Sequence, residues 1–457
     1  MNRLLLVFIL PFIVSCSFDN KTGIWKDASD IPVDNQISES ISDDQLDQRY
    51  EDIFSKNQTF NEEKTVDSQF VITIDKPIKI SNWLEQYTIS TNNISNFSYS
   101  ANDILLSKSS KLSKLSPIKN KVNKKIIFYK DNLISYDQKG TIFIFSLNLN
   151  KKIFEYNFYK KNFKNLNKEI NFIIDKNILI AADNIGYLYA LNLDDKSIMW
   201  AKNYGIPFRS NLKFANDQIF LANQDNVIYA IDPISGDKKW QFATKITPLK
   251  SDFENNFALD LINNNLFFLN TSGELYSINY LTQKVNWVLN FKNPLLTGDA
   301  ELFLSYPIII KNNNLVISTE KSLLNYNTLT GSRNWILPAE PIFKPIINSG
   351  YTYAVLKNKL LICIENINGK VVWSKNLFKH IENKKIKKNF GPIIDFKVVN
   401  NKINIYSKNG YLLIFNPSNG NSIYSGRISK KGIASEVFFL EDSMLFINRK
   451  NKLLRFN

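Results

Sequence analysis

The chain has 457 residues, a formal net charge of +15 and an apolar fraction of 44%, with 33 Phe and 20 Tyr. That much apolar material builds a sizeable core and excludes a disordered chain. Two cysteines, Cys16 and Cys363, exclude a disulfide framework, and lysines spread along the whole length without a dense basic block argue against a nucleic-acid-binding protein.

Arg3 puts a positive charge ahead of an apolar run over residues 4–14, interrupted by Pro11. The run is too short to span a bilayer and reads as the core of a signal peptide, residues 1–15. It ends in Ile13, Val14, Ser15 and Cys16. This ending resembles a bacterial lipobox, in which the Cys16 thiol takes a diacylglycerol and becomes the acylated, palmitate-bearing first residue. Ser17, rather than Asp, in the next place points to the outer membrane. Residues 16–72 read as a lipidated, acidic, flexible tether. Asp27, Asp30, Asp34, Asp43, Asp44, Asp47, Glu51 and Asp52 dominate it, and no apolar periodicity appears. A short helix is the most structure expected, around residues 44–54.

From residue 73 to 457 one pattern recurs. A turn residue opens an apolar strand, and a large aromatic follows after a second turn. The strands are GTIFIF from Gly140 to Phe154, GYLYAL from Gly186 to Trp200, and NVIYAI from Asn226 to Trp240. GELYSI from Gly273 to Trp287, KSLLNY from Lys321 to Trp335, NKLLIC from Asn358 to Trp373 and GYLLIF from Gly410 to Tyr424 continue it. An eighth strand, NKLLRF from Asn451, ends the chain. The interval from turn residue to aromatic is 14 in six of the seven complete units and 15 in the other, whereas successive aromatics are 38 to 51 apart. One tight hairpin and one variable loop per unit produce that contrast.

Gly236, Gly331, Gly369 and Gly420 lie between the two runs, where a tight hairpin needs positive φ. Further apolar strands precede the units at 178–181, 219–222, 266–269, 315–318, 403–406 and 444–447. Many short strands in units of this length predict an all-β fold: an eight-bladed β-propeller of four-stranded blades. The last blade lacks an outer strand. Residues 78–87, with Trp83, are expected to supply it, so that an N-terminal strand closes the ring and protects its edges. The regular place of Trp200, Trp240, Trp287, Trp335 and Trp373 assigns them to packing between blades. Cys363 reads as a buried strand residue.

These strands and tryptophans resemble the PQQ-type propeller repeat. With the lipobox, and with no catalytic or kinase domain attached, the sequence is similar to the BamB family of outer-membrane protein assembly lipoproteins in its alphaproteobacterial form. The resemblance spans roughly 78–457 plus the lipobox. It implies a non-catalytic scaffold without a cofactor, lipid-anchored on the periplasmic face of the outer membrane. It implies a monomer within a hetero-complex that binds the POTRA domains of BamA and other barrel-assembly subunits. It also implies contact through loops after the third and fourth blades' aromatics. Mapped by repeat order, these offer Leu249 and Lys250 in the first loop, and Asp299 and Glu301 in the second. The first loop lacks the family's arginine.

The same repeat occurs in quinoprotein dehydrogenases, which hold pyrroloquinoline quinone and calcium. Their adjacent cysteines are missing here, and the acids of the repeat region stand singly. One His, His380 in a Lys-rich loop, makes no zinc site by itself, and no nucleophile elbow or phosphate-binding loop is present. No metal site and no catalytic residue are therefore expected. Besides the dehydrogenase, another ligand- or cell-wall-binding propeller remains the competing reading. For such a binding propeller Lys384, Lys385, Lys387 and Lys388, in the loop over 376–391, suit an anionic partner or lipid headgroups, although such a run is more often simply solvated.

Overall fold

Seven residues in the left-handed region set the beat of the chain: Asn150, Lys196, Gly236, Gln283, Gly331, Gly369 and Gly420. Each stands four places before the repeat's aromatic. In the computed structural model each of these turns joins the third and fourth strands of a four-stranded antiparallel blade. A register shift follows in every case, as at Ala230 and Ile231 or Cys363 and Ile364, which is how a tight turn with an αL residue feeds a bulge. The odd interval counted from Asn358 also resolves. The left-handed residue there is Lys359, which restores the spacing of 14 to Trp373.

The structure describes residues 17–19, 24–26, 48–50, 58–67, 70–113, 123–159, 163, 165–246, 256–292 and 302–457. Two units are present, Met1–Asp43 and Asp44–Asn457. In the first, Ser17–Asp19 pairs antiparallel with Ile24–Lys26. In the second, eight blades follow one another. They span 127–157, 170–203, 213–243, 256–290, 309–338, 346–376, 393–427, and 438–456 completed by an N-terminal strand.

The core lies between blades. Tyr136 and Ile142 of the first meet Phe172 and Tyr189 of the second. Leu188 and Ala190 of the second meet Leu221 and Tyr229 of the third. Phe267 and Leu289 of the fourth meet Leu315 and Tyr326 of the fifth. Cys363 and Trp373 of the sixth meet Phe396 and Leu413 of the seventh. Phe438 and Leu454 of the eighth meet Phe128 and Phe145 of the first, so the ring is closed.

Trp240, Trp287, Trp335 and Trp373 are buried and Trp200 is half-buried. The indole N–H groups of Trp200, Trp287, Trp335 and Trp373 donate to carbonyls of Pro233, Thr328, Asn366 and Pro417, at 3.0, 3.2, 2.9 and 3.0 Å. Each acceptor sits in the turn of the following blade, and each ring lies flat on that turn's glycine. A Cβ on Gly420 would stand 2.6 Å from the Trp373 ring, and the same holds in kind for Gly236, Gly331 and Gly369. Trp240 differs. The next turn carries Gln283 in the glycine place, and the Trp240 N–H donates to Gln218 of its own blade at 2.9 Å.

An N-terminal strand closes the ring, but it is Leu105–Lys111 and not residues 78–87. It pairs antiparallel with Lys452–Phe456, with Ser107 opposite Arg455 and Lys108 opposite Leu454. The expected helix around 44–54 is also corrected, because Gln48–Tyr50 is a strand, added parallel to Lys284–Asn290 of the fourth blade. Beyond it the chain runs along the outer edges of the next blades. Phe60 N–H donates to the Pro338 carbonyl, and Lys64 and Ser374 exchange backbone hydrogen bonds.

Candidate functional site

Antiparallel order sorts the connections of a blade onto two faces. Turns from first to second and from third to fourth strand share one face. Turns from second to third strand, and the loops to the next blade, share the other. The predicted partner loops belong to this second face, on adjacent blades. Leu249, Lys250, Asp299 and Glu301 themselves, like the lipidation residue Cys16, lie outside the described residues.

Their stems are described, and a buried polar network holds them. Thr244, entering the first loop, donates its hydroxyl to the Asn226 carbonyl at 2.9 Å and accepts from Asn270 Nδ2 at 3.0 Å. Asn226 Nδ2 and the Ser272 hydroxyl both donate to the Lys245 carbonyl, at 2.8 and 2.9 Å. At the second loop, Phe291 N–H donates to the Gly273 carbonyl and Phe303 N–H to the Thr271 carbonyl. Glu274 accepts from Asn270 and from the Tyr276 hydroxyl, at 3.1 and 2.8 Å. Burial and the Glu274 charge push the Tyr276 phenol well above its ordinary pKa. Both loops thus leave from one rigid platform built by the second-to-third-strand turns of blades three and four.

The centre of the ring, where a propeller enzyme would hold its cofactor, is filled by the chain itself. Residues 78–98 run once around the channel and meet the innermost strand of each blade in turn. Ile80 carbonyl accepts from Glu441 N–H beside the eighth blade, and Trp83 exchanges two backbone bonds with Phe128 of the first. Leu84 carbonyl accepts from Ile174 N–H of the second. Lys213 of the third donates its ammonium to Glu85 and to the Ile89 carbonyl, both at 2.9 Å. Ser90 and Thr91 carbonyls accept from Leu259 and Ile310 of the fourth and fifth. Asn93 exchanges two bonds of 2.9 Å with Ile347 of the sixth, and Phe97 N–H donates to Val398 of the seventh. The circuit then closes on itself, with Ile78 N–H donating to the Asn96 carbonyl and Ser98 N–H to that of Ile78. Trp83 belongs here. It is buried, stacked on Phe97 at 6.0 Å and edge-on to Phe438 at 4.9 Å.

Beside this plug remains a cavity of about 50 Å³, lined by Trp83, Lys124, Lys344, Asp395, Lys397 and Glu436 among others. Lys397 bridges Glu436 at 2.7 Å and Asp395 at 3.1 Å. Burial disfavours its ammonium, but the two carboxylates outweigh that and hold its pKa above the ordinary value. Among the described residues Lys344 has no carboxylate at ion-pair distance. It donates to the Asn92 carbonyl at 2.9 Å, and burial with the Lys397 charge lowers its pKa to about 8.

A cavity of this size holds a few waters, at roughly 10–15 Å³ for each. No group of three or more His, Cys, Asp and Glu fit to hold a metal is present among the described residues. Cys363 is buried and His380 is exposed at the rim, so neither contributes to the channel.

The fold is a closed propeller of eight four-stranded blades whose channel is occupied by its own chain. The family model described as "Outer membrane protein assembly factor BamB" matches residues 159–375, which take in blades two to six and both predicted partner loops. Over that stretch the chain is similar to the BamB family. Among solved structures it is similar to BamB from Moraxella catarrhalis, with a TM-score of 0.58 at 13% identity over 77% of this chain and 99% of that one. It is similar in fold to a quinohemoprotein alcohol dehydrogenase from Pseudomonas putida, with a TM-score of 0.57 at 9% identity over 82% and 80%. A europium-containing methanol dehydrogenase gives 0.56 at 10% identity over 82% and 89%. No curated protein matches the sequence.

Proposed function

We propose that the chain is a non-catalytic scaffold lipoprotein of the outer-membrane β-barrel assembly machinery. It is anchored through Cys16 to the periplasmic face of the outer membrane and docks on the POTRA domains of BamA through the loops of blades three and four. The observation that carries this reading is the match to the BamB family across blades two to six. Two features support it. A polar platform pre-orients both loops, which lowers the ordering cost of binding. Residues 78–98 line the channel and take up backbone hydrogen bonds of the inner strands.

Leu249 is the apolar anchor in this reading, and Lys250, Asp299 and Glu301 set electrostatic complementarity at the rim. The test is affinity purification of the tagged lipoprotein from outer membranes. BamA is expected in the eluate of the wild type and at least tenfold less of it with Leu249→Asp or with Asp299→Lys combined with Glu301→Lys. Reproducible absence of BamA from the wild-type eluate ends the scaffold reading. Dye-linked alcohol oxidation after incubation with quinone and calcium would end the non-catalytic one.

A further inference from the structure

The loop face carries a second feature that the scaffold reading does not use. The segment 376–391 folds into a short helix, Lys384–Asn389, capped by the Asn383 side chain. Asn409 Nδ2 donates to the Asn389 carbonyl at 3.0 Å and ties the helix to the seventh blade. Between the helix and the loops of blades seven and eight lies an open groove of about 630 Å³. Among the described residues Lys385, Arg427, Lys430, Lys431, Arg449 and Lys450 line it, and no carboxylate does.

Elsewhere on this basic chain exposed lysines sit beside acids, as Lys79 with Asp442, Lys202 with Asp237 and Lys357 with Glu340. Among the described residues none of the six groove cations has such a partner. Six like charges within about one Debye length repel one another, at a cost that only an anion relieves. The groove is also built in part. The Arg427 guanidinium stacks over Tyr411 at 5.2 Å and donates to the carbonyls of Ser429 and Lys430 at 3.3 and 3.1 Å, which fixes the loop that presents Lys430 and Lys431.

We infer that this groove binds phosphate groups displayed on an anionic lipid surface. The walls present cations and amides, and the Tyr411 ring is buried beneath Arg427, so an aliphatic or aromatic peptide anchor finds no pocket. Charge alone recognises the ligand. The array exceeds what one free phosphate neutralises, and Lys384, Lys387 and Lys388 extend it along the helix. A surface of many phosphates matches it. The proposal rests on the lipoprotein reading only for the nearness of such a surface, since about 30 residues between Cys16 and the strand at Gln48 reach on the order of 30 Å.

The test uses the full chain carrying Cys16→Ser, so that no acyl chain contributes, in flotation with vesicles. Phosphatidylethanolamine vesicles are compared with vesicles containing about one-third phosphatidylglycerol. Each cation near an anionic surface contributes about fivefold to partition. Flotation with the anionic vesicles only is expected. Lys430→Glu, Lys431→Glu, Arg449→Glu and Lys450→Glu combined should abolish it. A charge-matched variant of the opposite face, Lys151→Glu, Lys196→Glu, Lys238→Glu and Lys284→Glu, should retain it.

No flotation, equal flotation of the groove variant, or equal loss in the charge-matched variant overturns the proposal. Release by millimolar inorganic phosphate at constant ionic strength assigns the groove to a free anion and overturns it. Release by a peptide of residues 27–52 assigns it to an acidic segment, with the same consequence. The lipoprotein reading stands or falls separately, on acylation of wild-type Cys16.

Discussion

Two glycines with the same backbone conformation separate a seat from a turn. Gly420 and Gly205 have φ of +70° and +71°. A Cβ on Gly205 meets nothing within 4 Å, whereas one on Gly420 lies 2.6 Å from the buried Trp373 ring and 2.7 Å from Lys375 Cγ. Alanine at either position bears the left-handed cost, about 1–2 kcal/mol. Only Gly420→Ala must also displace the indole. That adds overpacking of about 1–3 kcal/mol and endangers the hydrogen bond to Pro417, worth about 1 kcal/mol. The expected losses are thus about 1–2 kcal/mol for Gly205→Ala and about 3–6 kcal/mol for Gly420→Ala. At about 2.1 cal/mol/K per residue over roughly 400 residues, 1 kcal/mol moves Tm by about 1 °C. Thermal unfolding at a fixed scan rate should show Gly420→Ala falling about 2–4 °C further than Gly205→Ala. Equal shifts would refute the docking of Trp373 on the next blade's turn.

Other perturbations address the plug and the closure. Asn92 donates to the Phe257 and Ile308 carbonyls at 2.7 and 2.9 Å and joins blades four and five. Asn92→Ala should cost about 2–4 kcal/mol by urea unfolding, and Asn92→Asp more, because a buried carboxylate would face two carbonyls. Lys344 has a folded pKa of about 8, below its unfolded value. Below pH 8 both states bind its proton and the folded state bears the burial cost. Between about pH 8 and 10.5 the unfolded state binds more protons, so stability rises with pH. Lys344→Met should gain about 1–3 kcal/mol at pH 7 and flatten that rise; a wild-type curve parallel to the variant's would refute the shift. Ser107 and Arg455 stand directly opposite in the closing pair. Ser107→Cys with Arg455→Cys should form a disulfide on mild oxidation, read by a mobility shift without reductant, and its failure would refute the register.

The three outer strands of each blade were legible because the repeat wrote them seven times over: a left-handed turn, an apolar strand, and an aromatic at fixed distance. The innermost strands were not. Lys213–Ala215 and Ile346–Asn348 are three residues long, too short for any periodicity, and only their pairing with the next strand defines them. The closing strand, Leu105–Lys111, reads Leu-Leu-Ser-Lys-Ser-Ser-Lys and lies mostly exposed, so it carries no apolar alternation. Trp83 drew the closure to itself because large aromatics mark outer strands elsewhere in the chain. The plug has no period at all, since each of its residues answers to a different blade. Its one available signal was the cluster Asn92, Asn93 and Asn96, amides whose side chains satisfy the inner strands' backbone. At the candidate site the sequence located the loops by repeat order, while the platform of Asn226, Thr244, Asn270 and Glu274 depends on contacts between blades that no local pattern records.

The filled channel constrains how such a ring works. A propeller enzyme places its chemistry on the axis, where eight inner strands converge. Here those strands spend donors and acceptors on residues 78–98, so the plug ties the eight blades together at the axis. The partner loops and the basic groove lie on the same face, at blades three and four and at blades seven and eight, half a ring apart. A scaffold that meets a protein at one side of a rigid face and phosphates at the other fixes that protein's height and tilt relative to the lipid. Nearness to a surface alone supplies no orientation. Under the proposed function, orientation is what the docked partner gains, and it follows from the ring because the plug ties the two sides together.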